Sequence, residues 1–96
     1  MIELEIKKIY IAGKITDDEF YEAKFCRVAA VLRKEGYVAL NPATLPKGMN
    51  NADYMRICFA MIDSADAVVF LPDWHESRGA RLERAYCEYI GKEIIK

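Results

Sequence analysis

The run Asp66 to Leu71 (DAVVFL) is the most continuously apolar stretch of the chain, and it constrains the fold more than any other feature. A strand with one wet face alternates apolar and polar residues. A strand covered on both faces, as in a parallel sheet, reads as unbroken apolar sequence. Parallel neighbours cannot be joined by a tight turn and need a crossover, usually a helix. The flanking sequence supplies such crossovers.

Three further strands are predicted. Ile6 to Ala12 (IKKIYIA) is isoleucine-rich and ends at Gly13. Tyr37 to Leu40 (YVAL) is stopped by Asn41-Pro42, because proline cannot extend a ladder. Glu93 to Lys96 (EIIK) closes the chain. Between them lie three helical patterns. Thr16-Asp17-Asp18-Glu19 has capping-box spacing, which predicts that the first helix starts at Thr16. Tyr21, Phe25, Val28, Ala29 and Leu32 form its apolar stripe, and Gly36 stops it. Residues 43–50 are a loop by composition. Asn51 is the expected cap of a second helix running to about Ser64, with Tyr54, Ile57, Cys58, Met61 and Ile62 on one side. Ser77 is the expected cap of the third helix, whose predicted stripe is Leu82, Ala85, Tyr86, Tyr89 and Ile90, ending at Gly91. Strands alternating with single helices predict a small doubly wound α/β sandwich of three layers, Rossmann- or flavodoxin-like. Its four-stranded parallel sheet is expected in the order 2-1-3-4.

Ninety-six residues suit a single domain, 1–96, with a modest core, so pairing into a homodimer or higher homo-oligomer is expected to help stabilise it. Fourteen basic and fifteen acidic residues leave a net charge of -1. That balance argues against a nucleic-acid polymer or a membrane surface as partner. Met1 to Lys8 alternates charged and apolar residues, unlike a secretory signal, so a cytoplasmic chain is expected. Cys26, Cys58 and Cys87 show no CxxC spacing, and there is one histidine, His75. No disulfide framework and no metal site are predicted. Neither GxGxxG nor GxxxxGK[ST] occurs, so no cofactor is expected.

In doubly wound sheets, ligands sit beyond the carboxyl ends of the strands, where the strand order reverses. That rule selects four segments, those after the first three strands and the chain end. The first contains Gly13, Lys14 and Ile15, the second Asn41, and the third Asp73, Trp74, Ser77 and Gly79. Ser77 and Gly79 open a helix N-terminus, where backbone N–H groups face an anion. Glu83 follows just beyond the first turn. Read from spacing alone, it either faces a sugar attached to that anion or is a solvated residue flanked by Arg81 and Arg84. Tyr10 sits near the end of the first strand, on the face opposite Ile9 and Ile11, with its hydroxyl either in the cleft or at the core rim. Trp74 either stacks on a base or covers a sheet edge. Cys58 reads as a small buried hydrophobe.

The segments KIYIAGKIT (Lys8–Thr16), NPATLP (Asn41–Pro46) and above all DAVVFLPDWHESRGARLE (Asp66–Glu83) resemble the nucleoside 2-deoxyribosyltransferase-like superfamily, and most closely its small DUF4406 branch. The superfamily also includes 2'-deoxynucleoside 5'-phosphate N-hydrolases. The resemblance implies an N-glycosidic bond enzyme acting on a small nucleoside or nucleoside 5'-monophosphate. It implies that Glu83 is the nucleophile of a retaining double displacement and that Tyr10 lines the sugar site. Ser77 and Gly79 then match the phosphate-preferring hydrolases. One departure stands out: catalytic members carry an aspartate eight residues before the one that opens the third strand, and here that position is Cys58. The resemblance therefore leaves two readings open, an enzyme and a nucleotide-binding module without chemistry. Asp73 is the carboxylate expected to substitute for the missing one.

Overall fold

A computed structural model describes residues 7–95. The predicted strand residue Ile6 and the last residue, Lys96, lie outside them. Four strands, β1 (Lys8–Ala12), β2 (Val38–Leu40), β3 (Ala67–Phe70) and β4 (Glu93–Ile95), form one all-parallel sheet in the order β2-β1-β3-β4. Three helices, α1 (Tyr21–Lys34), α2 (Asn51–Ser64) and α3 (Arg78–Ile90), make the crossovers. The order reverses between β1 and β3, which pair from Ile9↔Ala67 to Ala12↔Phe70. Both strands are central and buried, whereas the edge strands β2 and β4 are shorter and partly exposed.

Strand alternation divides the core in two. Ile11 points to the α1 face, where it meets Phe25, Ala29 and Leu71, flanked by Tyr21, Val28 and Leu32. The predicted stripe of the first helix thus faces the sheet. Phe25 is completely enclosed, and truncating it to alanine should cost about 3–5 kcal/mol. Tyr10, Ala12 and Val68 point to the other face, against Cys58 and Ile62 of α2 and Cys87 of α3. Phe59 and Tyr86 stack at 4.4 Å and join those two helices.

Three local expectations are corrected. The first helix does not begin at Thr16. Asp17 adopts φ 63°, a left-handed conformation that interrupts a right-handed helix. Asp18 Oδ1 instead accepts the Phe20 N–H at 2.9 Å, and α1 starts at Tyr21. The cap of α2 is Asn50, whose side chain accepts the Asp53 N–H, one residue before the predicted Asn51.

The third correction is the largest. The residues of α3 that turn inward are Ala80, Glu83 and Cys87, spaced as one helix face. Of the predicted stripe only Tyr86 packs on the core; the rest turns outward, with Leu82 55% and Tyr89 92% exposed. Reading the face by hydrophobicity fails because a carboxyl occupies the middle of the buried side. Among the described residues no helix is long and apolar enough to cross a membrane.

Candidate active site

A cleft of about 230 Å³ opens at the carboxyl ends of β1 and β3, on the side covered by α2 and α3. Each wall has a local cause. Strand β1 contributes Tyr10 and then Gly13, where the chain leaves the sheet. A Cβ at Gly13 would lie 2.8 Å from Leu71 Cδ1, so only glycine lets the β1 exit pass this close to the end of β3. Ile15 and Thr16 continue that wall. Pro42 and Ala43 come from a short 3-10 turn after β2. Asn51, Tyr54, Met55 and Cys58 recur on one face of α2. Ser77, Gly79, Ala80 and Glu83 come from the start of α3. The Ser77 hydroxyl caps that helix by accepting the Ala80 N–H at 3.1 Å.

The chemistry concentrates at Glu83. It is 5% exposed, and its Oε2 accepts the Tyr10 hydroxyl at 2.9 Å. The two groups are 73 residues apart in sequence and join across the sheet. The Cys58 thiol borders the same cleft. Burial raises the Glu83 pKa to about 7, and Tyr10 and Cys58 only partly oppose it. Glu83 lies beyond the first turn of α3, where the helix dipole has little reach. Desolvation therefore outweighs the dipole. Burial also pushes the Cys58 thiol up to about 11, with Tyr10's bond opposing part of that rise. Tyr10 itself is raised well above its ordinary value, first by burial and then by the facing carboxyl.

Six of the residues selected from sequence meet in this cleft: Tyr10, Gly13, Ile15, Ser77, Gly79 and Glu83. Four others are placed elsewhere. Asn41 is buried, and its Oδ1 accepts the Ala43 N–H at 2.9 Å, shaping the turn that presents Pro42 and Ala43. Lys14 gives its backbone N–H to Asp73 Oδ1 at 3.2 Å and pairs through its side chain with Glu76 at 3.6 Å. Asp73 is bound through Oδ2 to Lys24 Nζ, which also contacts Asp18 and the Lys14 carbonyl. Its carboxyl serves that cluster and does not line the cleft. Trp74 covers the sheet end: its ring meets Phe70 edge-on at 5.7 Å, and the Arg84 guanidinium lies 5.0 Å above it. Trp74 does not line the cleft.

Sequence reasoning did not select Tyr21, Lys47, Asn51, Tyr54 or Met55 for the site, although all line the cleft. The α2 residues carried a usable signal. Asn51, Tyr54, Met55 and Cys58 have i, i+3, i+4, i+7 spacing, with polar atoms at the helix start.

The family described as "Domain of unknown function (DUF4406)" matches residues 7–96. None of the curated proteins matches the chain. Among solved structures, a 2-desoxiribosyltransferase from Leishmania mexicana superposes with a TM-score of 0.73 at 23% sequence identity. The superposition covers 93% of this chain and 62% of that one, so the chain spans less than two thirds of its relative's length. The chain shares the fold of that protein.

Proposed function

The chain belongs to the DUF4406 family, and from that membership, the shared fold and the cleft we propose that it breaks N-glycosidic bonds of 2'-deoxynucleosides or their 5'-monophosphates. The observation that carries this reading is the buried Tyr10–Glu83 pair facing a sugar-sized cleft. Glu83 is the one carboxylate among the described residues lining it. As the lone carboxylate there, Glu83 is assigned the nucleophile's role, with no second carboxyl in the cleft to act as acid and base.

In the first step, ionised Glu83 attacks C1' of the deoxyribosyl unit. The C1'–N bond breaks, its electron pair leaves with the base, and the base takes up a proton from solvent. The product is a glycosyl ester on Glu83. In the second step, water or another base attacks C1' from the opposite face, gives up a proton to solvent and releases the carboxylate. Two inversions give net retention. Tyr10 holds Oε2 in place and, by donating a hydrogen bond to it, favours the ionised form. Ser77 and Gly79 at the start of α3 are assigned to a 5'-phosphate, because the first N–H groups of a helix have no intrahelical partner.

Incubation with the four common 2'-deoxynucleosides and their 5'-monophosphates, followed by chromatography, tests this directly. Free base from the wild type and none from Glu83→Gln is the expected result. A deoxyribosyl adduct on Glu83, trapped by rapid acid quench and found by mass spectrometry, would identify the ester. One observation favours a second reading, a binding module without turnover. The thiol of Cys58, held near pKa 11, is a poor proton donor beside the carboxyl. Thermal stabilisation by a nucleotide with no base released would establish that reading instead.

A further inference from the structure

Lys47 is the one cationic side chain among the described residues that line the cleft. Its Nζ lies 3.3 Å from Glu22 Oε1, and the two side chains are 73% and 62% exposed. A pair in that setting is weak, because water screens it and two flexible side chains must be held still. Glu22 belongs to the first turn of α1, next to Tyr21, which lines the cleft as well. Gly48, the residue after Lys47, has φ +94°, and nothing lies within 4 Å of where its Cβ would be. The turn that carries the lysine is tied to α2, where the Tyr54 hydroxyl donates to the Pro46 carbonyl at 2.6 Å, while the Lys47 side chain itself stays exposed.

The cleft therefore presents two opposite charges from different walls: a buried carboxyl on α3 and an exposed ammonium on the loop before α2. A ligand that satisfies both carries an electrophilic carbon in one part and an anion in another. Resting on the reading that Glu83 attacks C1', we propose that Lys47 exchanges Glu22 for the 5'-phosphate of the substrate and so sets a preference for the monophosphate over the free nucleoside. A phosphate has up to two negative charges and three strong acceptor oxygens, against the single charge of Glu22. The exchange moves a cation between partners and breaks no covalent bond.

Titration calorimetry on the full chain tests this, using 2'-deoxynucleosides and their 5'-monophosphates at low and moderate salt. The quantity read is the ratio of monophosphate to nucleoside affinity, which a general loss of structure would not change selectively. Lys47→Ala is expected to lower that ratio about tenfold, and Lys47→Arg to restore most of it. Glu22→Gln, which removes the competing anion, is expected to raise it about twofold. Salt should weaken monophosphate binding more in the wild type than in Lys47→Ala. An unchanged ratio in Lys47→Ala, or a lower one in Glu22→Gln, would overturn the assignment while leaving the role of Glu83 intact. A wild type that binds neither class of ligand would overturn both.

Discussion

Two groups of ionisable side chains sit at the same end of the sheet and have opposite fates. On the α2/α3 side, Glu83 meets only a tyrosine hydroxyl and a thiol, with no cation among the groups that shift it. Burial dominates there, and the carboxyl loses its proton only near pH 7. On the α1 side, Asp18 and Asp73 share Lys24. Burial alone would raise Asp73, but the bonds from Lys24 and the Lys14 N–H outweigh it and hold the acid below its ordinary range. Asp18 is lowered chiefly by the Lys24 bond. Lys24 in turn is depressed by burial, yet its two aspartates lift it above its usual value. The compensated cluster ties the loops after β1 and β3 to α1. The uncompensated carboxyl is left free to react. A buried acid without a cation costs stability, and such a cost fits a functional position better than a structural one.

The largest expected effect separates the two groups at once. Glu83→Gln keeps an acceptor for Tyr10 but removes the nucleophile, so base release should fall at least a thousandfold, as measured by chromatography. The same variant should be more stable than wild type at pH 8. The folded chain holds the Glu83 proton up to about pH 7, and the unfolded chain releases it near 4.5. Between those values the folded state binds more protons, so wild-type stability falls as pH rises. The loss is on the order of 3 kcal/mol across the window and absent in the variant. Denaturant melts at pH 4 and pH 8 measure it. Equal slopes in both proteins would mean that Glu83 is not desolvated as described.

Next in size is the pH profile. In the proposed mechanism the ionised carboxylate attacks, so kcat/KM should rise with pH to a plateau, with its midpoint near 7. Tyr10→Phe removes a bond that lowers the Glu83 pKa. Its midpoint should move up, and its plateau should drop roughly tenfold. A downward shift would contradict the donor role of Tyr10. The smallest effect should come from the other group. Lys24→Met leaves Asp18 and Asp73 without their shared cation, and Tm should fall by roughly 5 °C. The pH midpoint of catalysis should stay near that of wild type, because Lys24 does not bear on Glu83. A midpoint that moved with Lys24 would show that the two groups are coupled after all.

Hydrophobic pattern and chain punctuation were enough to read the four strands, their parallel sense and the order 2-1-3-4. These depend on local physics: unbroken apolar runs must be covered, and Asn41-Pro42 and Gly91 end their elements where they stand. The same reasoning pointed to the exits of β1 and β3, where the cleft opens, and the resemblance singled out Tyr10, Ser77 and Glu83, which line it. It failed where one helix had to choose a face. Leu82, Ala85, Tyr89 and Ile90 make the more apolar stripe of α3, yet Ala80, Glu83 and Cys87 face the sheet. It failed again at Asp73, whose carboxyl is claimed by Lys24, a residue 49 positions away. Sequence determines what each segment can form, because propensity and periodicity act over a few residues. Only the tertiary structure decides which side chains share a low-dielectric space, because burial and pairing are set by neighbours distant in the chain. That enclosure is what raises the Glu83 carboxyl toward neutral pH.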